Sequence, residues 1–522
     1  MSCFYNSRSN TNDIYWESKK KELADLISMN TFSVVPIPPG IKPIPTRFVN
    51  SKPIKKINNK YVQILKSRLV ALGFLQRYGI NFFETYSPTA SYTSFRLLTA
   101  HAAMQGLTIK HLDFRRAYLN GKLNERVYVF PPVEFKNLYP PGTCWLLNKS
   151  LDGLKQSGRV WNQTIHSTLL SMGFEQCFYD KCVYICKMSD EVVRIVLYVD
   201  DIFISYKNEH NFLTIKQKLE GKYVIKDLGE IKKTLGMEVV RTDVSFILHQ
   251  HSYAISVLEQ FGFSDVKPSI LPTYKEIPHN LRNEYIAKLT KFSVSELVGS
   301  LLWLSRLTRP DISFAVANLS QYTADTTMTP YVLAYRILRY IRGTTDYGIE
   351  FSAGDLTNLR AYVDADFGSC VKDRKSQSGF IFFLTGGPIS WLSKKQSVVA
   401  LSTTESEIYA LSKAIQEAMY LMNAFHDLQI KFSTPISILE DNSQTITRAK
   451  TSINSKFLKH IDIRHKFINE KVSDELVSVD KVDTKNNTAD VFTKPLNKNL
   501  FYRHISKFMV VIPQEYLDVS SS

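Results

Sequence analysis

The chain has 522 residues, too many for one compact core, so the expectation is two to four domains. Hydrophobic residues make up 44%, with 31 Phe and 27 Tyr, which excludes a disordered chain. The excess of 65 Lys+Arg over 49 Asp+Glu gives +16 and favours a polyanionic partner, nucleic acid or an anionic membrane, although a basic cytosolic protein also shows it.

Cys177, Cys182 and Cys186 have neither a CxxC pair nor a partnering His cluster, so the six cysteines read as reduced thiols, not zinc ligands. The N-terminus is polar, without the form of a signal peptide. No uninterrupted apolar run approaches the ~20 residues of a membrane helix, so the reading is a soluble intracellular protein with no membrane partner.

In chain order, a helix is predicted through Trp16–Leu26, then an extended stretch punctuated by Pro36, Pro38, Pro39, Gly40, Pro43 and Pro45. Strand-like runs then alternate with amphipathic helices to about residue 270. The strands are Val127–Phe130, Val192–Val199 and Val239–Leu248; the helices are Trp161–Met172 and Phe212–Tyr223. A mostly helical stretch follows, with Leu297–Leu307, Ile312–Tyr322 and Tyr331–Arg342. The last block opens with strands Leu359–Val363 and Gly379–Leu384. It continues through a long helix near Thr404–Leu428, a strand at Ile436–Leu439 and a closing helix near 488, and Asp518–Ser522 is a polar tail. The layout is α+β followed by a smaller α/β unit.

Two sets of acids carry the chemistry. Asp200 and Asp201 lie between apolar runs, Ile195–Val199 and Ile202–Ile204, which places them at a hairpin tip, since burying two unpaired anions in a sheet is too costly. Such a pair is also an ordinary turn. Asp113, after Thr108–Leu112 and before a helix-like continuation, supplies a third acid at a strand end beside that hairpin. Together they suit two Mg²⁺ ions, one activating a primer 3′-hydroxyl and one holding a triphosphate.

The sequence Tyr198-Val199-Asp200-Asp201 resembles the catalytic box of reverse transcriptases, and Leu112-Asp113-Phe114-Arg115-Arg116-Ala117-Tyr118-Leu119-Asn120-Gly121 resembles the preceding Asp box of copia-type (Pseudoviridae) LTR retrotransposons. Ser150–Trp161 resembles the template-binding box, departing from it at Asp152, where an aromatic is usual, and at Gly158, where Pro is usual. The resemblance implies that Lys66 and Arg68 lie near the triphosphate, against the alternative of a solvated basic strand face. It likewise implies that Tyr118 is the steric gate against a ribose 2′-hydroxyl, against that of a core tyrosine. Lys233 either approaches the leaving group or is a solvated helix-face lysine.

The second set is Asp364 at a strand end, Glu405 and Glu407 opening a helix, Asp441 at another strand end, and Asp490 at a further helix start. Each has a plain explanation, because acids stabilise helix N-termini and readily end strands. In order, however, they resemble the Asp-Glu-Asp-Asp set of RNase H, which binds two Mg²⁺ and cleaves the RNA of a hybrid. Glu407-Ile408-Tyr409-Ala410 fits the family's glutamate, leaving Glu405 and Asp366 as neighbours. The His that many RNases H carry before the fourth acid is not evident near Val482-Asp483-Thr484. Thr308-Arg309-Pro310-Asp311-Ile312 and Lys459–His465 also match copia-type sequence without obvious chemistry. His460, Asp462 and His465 fit a structural or hybrid-contacting role better than a metal site.

The resemblance spans residues 16–507. It implies an N-terminal extension (1–30), polymerase fingers, palm and thumb (31–275), a helical connection (276–358), an RNase H-like α/β domain (359–500) and a tail (501–522). The implied function is copying retrotransposon RNA into cDNA from dNTPs, as RNA-directed DNA polymerase and ribonuclease H. The partners would be RNA template, DNA primer and RNA–DNA hybrid, with integrase and capsid as sister products, in a cytoplasmic virus-like particle or the nucleus. No capsid, protease or integrase pattern fits, so the chain reads as a fragment of a polyprotein or a truncated element. The alternative is a domesticated relic that binds nucleic acid without turnover.

Overall fold

The computed structural model describes residues 13–57, 60–278, 281, 283–354, 359–370, 372–451 and 459–519. Helix α1 (Trp16–Ser28) packs on a ladder of β1 (Thr46–Ser51) and β2 (Lys66–Ala71). Its inward residues Trp16, Leu23 and Leu26 join Leu69, Phe135 and Trp145 in a small core, with Trp16 stacked on Phe135 at 5.0 Å.

Helix α2 (Tyr92–Gln105) is capped by Ser91, whose side chain accepts from the Thr93 N–H, and stops at Gly106 in the left-handed region. It is buried almost all round, as befits a helix at the centre of the molecule. The next strand, β3 (Thr108–Phe114), enters a six-stranded sheet. After α3 (Ser157–Ser171), the hairpin strands β4 (Val183–Met188), β5 (Glu191–Tyr198) and β6 (Asp201–Tyr206) follow, then α4 (Glu209–Glu220) and the edge strand β7 (Ile225–Glu230). The order is β7-β3-β6-β5-β4, ending on the short strand Glu175–Gln176. One sheet face, with Leu112, Phe114, Ile195, Leu197, Ile202 and Ile204, packs on α3 and α4; the other carries Ile109, Val196 and Phe203 against Phe95 of α2.

The run expected as one strand, Val239–Leu248, is a hairpin of β8 (Met237–Arg241) and β9 (Ser245–His249). Thr242 makes the turn, its hydroxyl accepting from the backbone N–H groups of Val244 and Ser245. Helices α5 (Val294–Leu307) and α6 (Thr329–Arg342) then lead into β10 (Tyr347–Ser352), which pairs with β9. Between α5 and α6, Arg309 and Asp311 are both buried. Arg309 donates to Asp311 at 2.9 and 2.8 Å and to the Thr344 carbonyl at 2.8 Å, while the Tyr340 hydroxyl donates to Asp311 at 2.8 Å.

The smaller unit is a five-stranded sheet. Strands β11 (Arg360–Asp366), β12 (Gln377–Leu384) and β13 (Gly387–Lys395) are antiparallel. After α7 (Thr403–Asp427), strand β14 (Ile436–Glu440) runs parallel to β11. After α8 (Lys459–Ser473), β15 (Val477–Lys481) runs parallel to β14. This is the α+β polymerase fold followed by an RNase H-like α/β unit. The closing helix expected near 488 is instead two 3₁₀ turns, Thr484–Asn486 and Thr488–Phe492.

Residues expected as a tail form α9 (Lys498–Ile505) and strand β16 (Val510–Val511), because Phe501, Ile505, Phe508 and Ile512 are apolar and become buried. Strand β16 pairs with β10, so one sheet gathers strands from both sides of the boundaries expected at 275/276 and 500/501. The two units are joined firmly. Arg96 of α2 is buried, donates to the Ile389 carbonyl at 2.9 Å and lies 4.0 Å from the Trp391 ring, and Arg194 of β5 donates to the carbonyls of Leu428 (2.7 Å) and Gln429 (3.1 Å) at the end of α7.

Candidate active sites

At the first site, Tyr198 and Asp201 pair across the β5–β6 hairpin, leaving Val199 and Asp200 as its two-residue tip. Val199 sits at φ +55°, a region a β-branched residue enters at a cost of about 1–3 kcal/mol. The tip is held by the Trp161 indole N–H donating to the Val199 carbonyl (2.6 Å) and the Phe114 N–H donating to the Asp200 carbonyl (2.8 Å). Asp201 stands directly opposite Asp113 in the β6–β3 register. Asp201 Oδ1 lies 2.6 Å from His111 Nε2, a buried group whose ring packs on Phe203 and whose role the sequence did not disclose. Burial, reinforced by the charges of Asp201, Asp113 and Asp152, holds the Asp200 carboxyl above its ordinary range.

After Asp113 the chain does not continue as the expected helix. Arg116 adopts φ +54° and its guanidinium reaches Glu22 (2.8 Å) and Asp25 (2.6 Å) of α1, leaving only the 3₁₀ turn Ala117–Asn120. Tyr118 lies half-buried in that turn, and burial followed by Asp152 and Asp200 raises its phenol. Arg68 is bound to the buried Glu22 at 3.2 Å, whereas Lys66 is exposed at the start of β2. Lys233 is exposed on a strand, not a helix. The off-pattern loop is held through its backbone: the Asp152 carbonyl accepts from the Ala71 N–H at 2.8 Å, and the Gly158 carbonyl from Ser87 at 3.2 Å. Gly153, at φ +89°, lies so close to β2 that an added Cβ would stand 2.2 Å from the Ala71 carbonyl oxygen.

At the second site, Asp364 lies near the end of β11, Glu407 lies in the first turns of α7, and Asp441 follows β14. Carboxylate oxygens of the three all lie within 4.8 Å of one another, the one such group of acids among the described residues. Asp490, in the second 3₁₀ turn, is linked to them through Lys494, whose ammonium lies 2.8 Å from Asp490 and 3.6 Å from Asp364. Thr493 also donates to Asp364. Burial, then Glu440, Asp364 and Asp441, raises the Glu407 carboxyl well above its usual range, and burial, then Asp364, lifts Asp490 to about 7 against the opposing charge of Lys494.

Glu440 and Lys494 were not singled out in the sequence. Glu440 is fully buried, and the signal was its place in the inward-facing series Ile436, Ile438, Glu440. Glu405 instead caps α7, its carboxylate accepting from the Leu401 N–H at 2.7 Å while its own N–H donates to Ser402 at 3.2 Å. Asp366 is half-buried at the end of β11. His465 is engaged by the Arg448 carbonyl at 2.9 Å and Asp462 by Lys466 at 3.1 Å; the His460 side chain lies outside the described residues.

A hairpin-tip carboxylate pair beside a third acid on a central sheet strand, joined to a separate acid-lined α/β unit, is the layout of a polymerase fold with an appended RNase H-like unit. Residues 29–275 match the reverse transcriptase (RNA-dependent DNA polymerase) family, and matches to transposon Pol polyproteins over most of the chain support a copia-type reverse transcriptase region. It is 34% identical over 495 residues to the retrovirus-related Pol polyprotein from transposon TNT 1-94 of Nicotiana tabacum, covering 93% of this chain and 37% of that protein. The Pol polyprotein from transposon RE1 of Arabidopsis thaliana is 32% identical over 94% of this chain and 33% of its own length. The transposon Ty5-1 protein YCL074W of Saccharomyces cerevisiae is 29% identical over 309 residues, 59% of this chain and all of that protein. The chain thus spans about a third of the length of the two polyproteins.

Proposed function

We propose that the chain is an RNA-directed DNA polymerase that copies an RNA template from a DNA primer, and a ribonuclease H that cleaves the RNA of the resulting hybrid. The observation that carries the reading is two separate sets of acids on one chain: Asp113 opposite Asp201 with Asp200 at the adjoining hairpin tip, and Asp364, Glu407 and Asp441 within 4.8 Å of one another with Asp490 joined through Lys494. Buried oxygens of Glu407 and Glu440 have no hydrogen-bond partner, as suits acids placed to face a cation. The oxygen-only donor sets fit Mg²⁺, which would supply Lewis-acid activation and charge neutralisation for phosphoryl transfer.

In this reading Asp113 and Asp200 bind the metal ions at the polymerase centre, and Asp201 contributes from a carboxylate oriented by His111. Tyr118 borders the nucleotide sugar, and Lys66 and Arg68 lie on the triphosphate side. Asp364, Glu407, Asp441 and Asp490 hold the ions of the hybrid-cleaving centre, with Lys494 restraining Asp490. Integrase and capsid as sister products, and action in a cytoplasmic virus-like particle or the nucleus, belong to the same proposal.

The test is primer extension on an RNA template with Mg²⁺, wild type beside Asp200→Asn and Asp441→Asn. Asp200→Asn abolishes synthesis and keeps hybrid cleavage, and Asp441→Asn does the reverse. Synthesis retained in Asp200→Asn, or cleavage retained in Asp441→Asn, removes the corresponding assignment.

A further inference from the structure

Helix α1 lies along the edge of β2 that β1 does not pair, and satisfies it with side chains where a strand would use its backbone. The Ser67 N–H donates to the Ser18 hydroxyl oxygen at 2.8 Å, and the Leu69 N–H donates to Glu22 Oε1 at 3.3 Å. The spacings agree: four helical residues rise about 6 Å, and two strand residues span about 6.6 Å. The next N–H on that edge, of Ala71, donates to the Asp152 carbonyl at 2.8 Å. The strand that carries Arg68 is therefore held between α1 and the loop at Asp152.

The Glu22 carboxylate, only 4% exposed, also gathers two guanidinium groups. Its Oε2 takes Arg68 Nη1 at 3.2 Å and Arg116 Nη2 at 2.8 Å, and Arg116 is shared with Asp25 at 2.6 Å. One enclosed anion thus joins α1, β2 and the turn after Asp113, in which Arg116 holds φ +54° two residues before Tyr118. The cluster acts on the polymerase centre through Asp152. Burial raises the Asp152 carboxyl, Arg68 and Arg116 draw it back down and Glu22 raises it further, while the Asp152 charge acts in turn on Tyr118 and Asp200.

We infer that Glu22 is a positioning residue of the nucleotide site, resting on the polymerase reading that puts Arg68 and Tyr118 beside the incoming nucleotide. It presets the Arg68 fork for the triphosphate and, through Arg116, fixes the turn that presents Tyr118 to the sugar. The bond to Glu22 uses Nη1 of a rigid fork with five N–H donors, so an anchored guanidinium meets a phosphate with less freedom left to lose. Helix α1, remote from the chemistry in sequence, is then part of what sets nucleotide affinity and sugar choice.

Steady-state incorporation of dNTP and rNTP on a primed RNA template, with the full chain, tests this. Glu22→Gln raises the dNTP KM about fivefold or more with kcat within about twofold, and lowers the preference for dNTP over rNTP by a similar factor. Hybrid cleavage, on the other unit, stays at the wild-type rate and reports that the variant folds. Glu22→Gln/Arg68→Met has a dNTP KM no higher than Arg68→Met alone, because Glu22 acts on the triphosphate through Arg68. Arg116→Met keeps the Glu22–Arg68 pair and loses sugar preference with little change in dNTP KM, and it decides the matter if Glu22→Gln does not fold. Unchanged KM and sugar preference in Glu22→Gln, with only a lower melting temperature, overturn the inference, as do additive KM effects in the double variant. Equal losses of synthesis and hybrid cleavage overturn it as general damage to the fold. Absence of any extension by the wild type removes the polymerase reading itself, and the role of Glu22 with it.

Discussion

Replacing Asp311 by Ala tests the buried ionic knot between α5 and α6. Arg309 is fully enclosed, and Asp311 receives three hydrogen bonds from its guanidinium and one from the Tyr340 hydroxyl. Removing the carboxylate leaves a desolvated guanidinium with only the Thr344 carbonyl and hydroxyl as acceptors, and a buried phenol with none from Asp311. Breaking a buried pair on one side costs about 3–5 kcal/mol, and the stranded hydroxyl adds about 1 kcal/mol or more. Urea unfolding followed by tryptophan fluorescence reads this as a lower midpoint. Arg309→Met/Asp311→Leu removes both charges together and is expected to recover more than half of the loss. A loss below about 1 kcal/mol for Asp311→Ala, the scale of a surface pair, refutes the reasoning.

Glu407→Gln is expected to reduce hybrid cleavage at least tenfold more than Glu405→Gln, whose principal effect is a loss of about 1 kcal/mol in stability through the cap of α7; cleavage assays and melts on both variants separate the roles. Tyr118→Ala is expected to admit ribonucleotides during primer extension, and unchanged sugar selectivity rejects the gate. Burial opposes the charge of Glu238, but hydrogen bonds from His249 and Ser252 outweigh it and bring the carboxyl from 4.5 down to about 2. A depressed acid stabilises the fold above its unfolded value, so about 3 kcal/mol is fully present above pH 4.5 and is lost as pH falls toward 2. The stability gap between wild type and Glu238→Gln therefore narrows across that window in acid titration, and a constant gap contradicts the assignment.

The polymerase hairpin was legible because Ile195–Val199 and Ile202–Ile204 bracket two acids, a pattern with few alternatives once β3 supplies a third. The helix read after Asp113 failed because a long-range ion pair from Arg116 to α1 sets that turn, and local pattern contains no trace of it. The split of Val239–Leu248 was readable in principle, since Thr242 and Ser245 bracket a hydroxyl-closed turn, but no Gly or Pro marks it. Glu440 was hidden by its neighbour Asp441, although strand alternation places it inward. Ring count along the chain does not distinguish Phe74, exposed, from Phe95, buried.

The pairing of β16 with β10 makes the RNase H-like unit an insertion within a sheet begun far upstream. Because Val510 and Gly348 lie far apart in sequence, a compact α/β unit between them lowers the entropic cost of bringing them together. Completion of that sheet is thus a late, non-local event, slow by the measure of sequence separation. Loosening the α/β unit would also release the last strand of a sheet that the polymerase half shares.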